Sequence, residues 1–187
     1  GNDRLVEANN SNSSPNDLHD RLDFSRFINT VEVDLEENER QSVNGKKFEG
    51  DTNLTVKLFS ATAFEDVTGS EFSDQIDGNL RDNTFVGLSG KDDLDGESGN
   101  DLLIGGDDAD DLEGGDGRDI VIGTFTLLDE DPAALQAIFT VWNSDDDYTT
   151  VIDMIRTGSG PVLNGVKLKA NTTVLNDGFE DDLKGND

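Results

Sequence analysis

The sequence predicts an all-β solenoid with a small helical insert, and three observations carry that prediction. A strict nine-residue repeat runs from Gly69 to Ile122. Short runs of alternating apolar and polar residues precede it, and two stripes of helical periodicity follow it.

Composition limits what such a chain can meet. Among 187 residues, 14 are basic and 42 acidic, so the net charge is 14 − 42 = −28. A phosphate backbone would be repelled, which excludes nucleic acid as a partner, and anionic membrane surfaces are disfavoured for the same reason. Hydrophobic residues make up only 33% of the chain, while glycine reaches 20 residues. Low hydrophobicity with high net charge leaves a chain disordered unless something neutralises the charge. Without cysteine there is no disulfide framework and no thiolate metal site, and His19 is the sole histidine. No run is long enough for a membrane helix, so no membrane insertion is expected, and no signal peptide opens the chain. Gly1-Asn2-Asp3-Arg4 and Lys184-Gly185-Asn186-Asp187 read as the ends of a piece cut from something longer.

The elements follow in order. Residues 1–17, rich in Asn and Ser with Pro15, read as a flexible lead-in. Residues 18–68 read as irregular β coils capping the repeats. Val31-Glu32-Val33-Asp34-Leu35 and Leu54-Thr55-Val56-Lys57-Leu58 both alternate, with Asn44-Gly45 and Glu49-Gly50-Asp51 as turns between them. The repeat domain spans 69–123. A helical hairpin is expected over 124–160. Leu135, Ile138, Phe139 and Trp142 form its first stripe, begun by Asp131 as N-cap and Pro132 at the first turn. Tyr148, Val151, Ile152 and Ile155 form the second, closed by Gly158. Residues 161–187 read as short strands around Val166-Lys167-Leu168 and Thr173-Val174-Leu175. Phe179-Glu180-Asp181-Asp182-Leu183-Lys184-Gly185-Asn186 then reads as the start of a second repeat array.

The repeat itself carries the chemistry. Its units begin at Gly69, Gly78, Gly87, Gly96, Gly105 and Gly114. Position six is Asp74, Asn83, Asp92, Asp101, Asp110 and Asp119, and position eight is always a large apolar residue. Taken as a strand, the last three positions point the eighth residue inward. The first six form a turn, where glycine is expected to supply unusual backbone angles. Two units make one coil, so Asp74, Asp92 and Asp110 stack in one column, and Asn83, Asp101 and Asp119 in the other. Carboxylates about 4.8 Å apart repel by about 1 kcal/mol in water and about 3 kcal/mol at an effective dielectric near 20. Summed along both columns, that rivals the stability of a small domain. A divalent cation between stacked turns reverses the sign. Ca²⁺ accepts six to eight oxygens, whereas Mg²⁺ demands tighter octahedral geometry. Several Ca²⁺ ions are therefore expected, bound by the position-six side chains. The turn carbonyls of Gly87, Ser89, Gly96, Ser98, Gly105, Asp107, Gly114 and Asp116 would complete the shells.

The pattern GGxGxDxUx resembles the RTX (repeats-in-toxin, hemolysin-type calcium-binding) repeat. Gly114-Gly115-Asp116-Gly117-Arg118-Asp119-Ile120-Val121-Ile122 matches it at every defined position. Residues 87–95 and 96–104 depart only at Leu88 and Glu97, and residues 105–113 carry Asp108 at the fourth position. In the first two units Phe72 and Arg81 stand there, and Asn83 replaces the Asp. The resemblance implies a right-handed parallel β-roll with Ca²⁺ in its turns. It also implies a fragment of a large secreted bacterial protein that leaves by type I secretion and folds outside the cell on binding calcium. Such a module would be a stiffening, adhesin-like part of an extracellular or cell-surface protein, with neighbouring domains of the same long chain as partners.

No catalytic residue is expected. His19 lacks the surroundings of a triad and reads as a solvated side chain. Asp131-Pro132 reads as a helix start rather than a cleavable bond. No segment has the spacing of an EF-hand. The triplets at Asn12, Asn53 and Asn171 carry little weight in a bacterial protein. The rival reading is a calcium-dependent accessory or self-processing module attached to a secreted enzyme or toxin.

Overall fold

The computed structural model describes residues 20–43, 55–58, 60–61, 64–160, 162–169, 173–174, 178 and 180–184. The lead-in 1–17, His19, Asn12, Asn53, Asn171 and the turn signals at 44–45 and 49–51 lie outside these residues.

The leading coils give β1 (Arg21–Asp23), β2 (Glu32–Asp34), β3 (Arg40–Ser42), β4 (Thr55–Lys57) and β5 (Asp66–Thr68). The repeats give β6 (Gln75–Asn79), β7 (Thr84–Ser89), β8 (Asp93–Glu97), β9 (Leu102–Asp107), β10 (Asp111–Glu113) and β11 (Ile120–Thr124). Helices α1 (Pro132–Trp142) and α2 (Tyr148–Thr157) follow, then β12 (Asp182–Lys184). Two five-stranded parallel sheets result, in the orders β1-β5-β7-β9-β11 and β12-β10-β8-β6-β2. Successive nonapeptides alternate between the sheets, so strands pair with those one coil away. Leu94 sits opposite Ile76, and Leu103 opposite Phe85, each pair 18 residues apart. This is a parallel β-roll. Strands β3 and β4 stand outside it as an antiparallel pair.

Position eight builds the interior. Ile76, Phe85, Leu94, Leu103 and Leu112 are fully buried, and Leu22, Val33 and Val67 continue the same core into the leading coils. Each such side chain contributes about 1.5–3 kcal/mol on leaving water. Positions seven and nine point outward, and here the two sheets differ. On one, Thr84, Val86, Leu102 and Ile104 are buried, and Ile120 and Ile122 are half-buried. On the other, the same positions are Gln75, Asp77, Asp93, Asp95, Asp111 and Glu113.

The helical hairpin covers the apolar face. Val86, Leu102 and Ile104 share a core with Leu135, Ile138, Phe139, Val151, Ile155 and Leu163. Asp131 caps α1 by accepting from the Ala134 amide at 3.1 Å, and Pro132 begins the helix. Asp147 caps α2, and Gly158 ends it in the left-handed conformation at φ 71°. The end of α1 is pinned to a column of position-five residues. The Trp142 indole N–H donates to the Arg118 carbonyl at 2.6 Å, and the Arg118 guanidinium lies 5.1 Å from the indole centroid. Asn143 donates to Asp82 at 3.0 Å and accepts from Asn100 at 2.9 Å.

The region after the hairpin departs from expectation. Val166-Lys167-Leu168 forms no strand, because Val166 turns back to the Leu163 carbonyl and Leu168 donates to the Ile155 carbonyl. Val174 makes only an isolated bridge to Thr126, and Leu175 lies outside the described residues. The tail repeat joins the first roll. Strand β12 pairs with β10 in parallel, Leu183 opposite Leu112, as the next rung of the first roll.

Candidate calcium site

Each position-six side chain reaches back to the coil before it. Asp92 Oδ1 accepts from the Asp74 amide at 2.8 Å, and Asp110 Oδ1 from the Asp92 amide at 2.9 Å. In the other column Asp101 Oδ1 accepts from the Asn83 amide at 2.7 Å, and Asp119 Oδ1 from the Asp101 amide at 2.9 Å. The second oxygen faces a different environment. Oδ2 of Asp92 and of Asp101 is buried and has no hydrogen-bond partner. A buried carboxylate oxygen left unmatched is strongly disfavoured, so these two positions ask for a cation.

Glycine at position one keeps room for it. A Cβ on Gly96 would fall 2.5 Å from Asp101 Oδ2 and 2.7 Å from the Gly114 carbonyl oxygen. A Cβ on Gly87 would fall 2.5 Å from the Gly105 carbonyl oxygen and closer still to Asp92 Oδ2. A side-chain carboxylate and a carbonyl from the next coil thus converge on one small space. Turn glycines supply the expected left-handed angles, as at Gly99 (128°) and Gly117 (150°), but the position-one glycines hold none. Those angles fall at positions two and four: Leu88 (87°), Glu97 (66°), Asp108 (82°) and Gly90 (112°). Gly87, Gly96, Gly105 and Gly114 are required for space.

Electrostatics agree with the geometry. Burial, reinforced by neighbouring carboxylates, pushes the Asp92 carboxyl up to about 9 and that of Asp101 up to about 8, against the lowering effect of the backbone amides that bond them. Burial also raises Asp119. A divalent ion removes the penalty by neutralising the charge in place. Among the described residues no three acidic or His side chains converge into a ready-made cluster. Backbone oxygens must therefore supply much of any shell.

The first two units differ. Asp74 accepts from the Ser70 amide at 2.5 Å, the Ser70 hydroxyl at 2.9 Å and the Val31 amide at 2.6 Å. Asn83 accepts from the Asn79 amide at 3.1 Å and donates its own Nδ2 to the Glu65 carbonyl at 3.1 Å. Protein groups already satisfy both side chains. The expected position-three contributors, Ser89, Ser98, Asp107 and Asp116, lie on the same turns and join them backbone to backbone: Gly90 donates to the Asp107 carbonyl and Gly99 to the Asp116 carbonyl. Sequence reasoning, which assigns Asp181 to a starting repeat, misses Gly123 as its neighbour, because the five-residue separation of positions one and six is broken.

Stacked aspartate turns over glycine cradles, on two parallel sheets, define a calcium-binding repeat protein built as a β-roll. The family comparison gives the same answer: residues 68–103 and 86–121 match the RTX calcium-binding nonapeptide repeat, in four copies, so this stretch of the chain is built of RTX repeats. No curated protein and no solved structure matches the chain.

Proposed function

We propose that the chain is a module that folds when Ca²⁺ binds after export and stiffens a large extracellular or cell-surface protein of adhesin-like type. Asp92, Asp101, Asp110 and Asp119 hold the ions, with carbonyls of their own and adjoining turns. Asp74 and Asn83 serve as a metal-free first coil. The observation that carries this reading is the buried, unmatched Oδ2 of Asp92 and Asp101, each facing a carbonyl across a glycine. Calcium in that space supplies charge neutralisation and joins one coil to the next. An ion that binds only the folded state stabilises it by mass action, so ample extracellular calcium acts as the folding signal.

Circular dichroism with calcium and with chelator tests the reading. A β spectrum that appears only with calcium supports it, and one unchanged by chelator refutes it. The Asp131-Pro132 pair fits the helix start, since Asp131 caps α1. Incubation with calcium is expected to leave the chain uncut.

A further inference from the structure

We propose that Asp181 completes a seventh nonapeptide unit begun by Gly123, and that a Ca²⁺ ion held between this split turn and the Asp110 turn clasps the two ends of the helical insert. In an intact unit the Asp follows the Gly by 119 − 114 = 5 residues; here the separation is 181 − 123 = 58. The space between them is nevertheless built as in the other units.

Four relationships repeat across the break. Asp181 Oδ1 accepts from the Asp110 amide at 3.2 Å, the bond that Asp110 itself makes to the Asp92 amide. Asp182 donates to the Asp110 carbonyl at 2.8 Å, as Asp111 does to Asp92 at 2.9 Å. A Cβ on Gly123 would lie 2.6 Å from Asp181 Cγ, as one on Gly114 would lie 2.9 Å from Asp119 Cγ. The Gly123 carbonyl oxygen stands 2.8 Å from where a Gly105 Cβ would sit, the place the Gly105 carbonyl takes over Gly87. Strand β12 then carries the register onward, Asp182 opposite Asp111.

The inserted residues leave the roll after Gly123 and return at Asp181, so an ion here ties the start of the insert to its end. Its loss loosens the hairpin that covers the apolar sheet. Trp142 reports that docking, because it is the only tryptophan and is held by Arg118 of the sixth unit.

The inference rests on the calcium reading above, and one experiment separates the two. Calcium is titrated into the 187-residue chain and into Asp181→Asn, Gly123→Ala and Asp92→Asn, by calorimetry and by Trp142 emission. Asparagine keeps the Oδ1 acceptor for the Asp110 amide, so a purely structural Asp181 would be little affected. The expected result is one ion fewer for Asp181→Asn and Gly123→Ala, with the Trp142 transition displaced to calcium at least about tenfold higher. Wild-type stoichiometry and midpoint in these two, with an ion lost in Asp92→Asn, overturns the split unit and leaves the calcium reading standing. Unchanged binding in all three variants overturns both.

Discussion

The side-chain amide of Asn83 donates to the Glu65 carbonyl oxygen at 3.1 Å, with a backbone N–H of its own coil sharing that oxygen. One coil later Asp101 sets its Oδ1 in the place of that amide and accepts from the Asn83 N–H at 2.7 Å, while its Oδ2, in the place of the Asn83 oxygen that accepts from Asn79, has no partner. The two residues differ by an NH₂ group in place of a charged oxygen, so Asn83 brings no buried charge for a cation to neutralise.

Asp101→Asn should therefore remove the buried charge that makes this turn require calcium. The variant is expected to bind fewer ions and, in chelator, to keep more β signal than the parent. The reverse change, Asn83→Asp, removes a donor and adds a buried charge. It should lower the stability of the metal-free chain by at least about 1–3 kcal/mol. Calorimetric titration and chemical unfolding in chelator would measure both.

Gly87→Ala tests the need for space. Its Cβ collides with the Gly105 carbonyl and the Asp92 carboxylate, although the backbone at Gly87 suits any residue. Overpacking of this kind costs about 1–3 kcal/mol. The calcium midpoint of folding should rise. An unchanged midpoint would show that the cradle does not hold the ion.

The metal-free chain should be more stable in acid. Asp92 and Asp101 have folded-state values of about 9 and about 8, well above the ordinary carboxylate value. The folded roll therefore binds more protons than the unfolded chain between the ordinary value and those raised ones, and its stability falls as pH rises through that window. Helped by the falling net charge, β signal in chelator should be stronger near pH 5 than near pH 8. The Asp92→Asn, Asp101→Asn double variant should flatten the dependence. With calcium present the trend reverses, because the ion displaces protons. Calorimetry in buffers of different ionisation enthalpy should detect proton release on binding at neutral pH.

Phe139→Ala addresses the hairpin. Phe139 is buried against the apolar sheet face. Its truncation should cost about 3–5 kcal/mol in thermal or chemical unfolding at saturating calcium. The number of ions bound should not change, since no position-six side chain belongs to that core.

The interior of the roll was legible in the sequence because one period governs it. A large apolar residue at position eight of every unit marks the strands, and the position-six column marks the stacking. Asp131, Pro132 and Gly158 announced the helices by local chemistry alone. Which face the hairpin covers was also written there, in an 18-residue alternation: Val86, Leu102 and Ile104 against Asp77, Asp93 and Asp95. A nine-residue reading averages that signal away. The place of Asp181 could not be read from spacing, because its partner Gly123 lies 58 residues upstream (181 − 123). Val166 and Leu168 alternate like a strand but are used as packing against the hairpin core, an outcome set by tertiary contacts.

The carboxylate ladder also has a polarity. The Val31 amide holds Asp74, the Asp74 amide holds Asp92, the Asp92 amide holds Asp110, and the Asp110 amide holds Asp181. Each rung hangs from an N–H already fixed by its predecessor, and the first hangs from a segment outside the repeats. The column therefore has a direction, from Val31 to Asp181, and every turn along it presents the next with an amide that orients half of its own site.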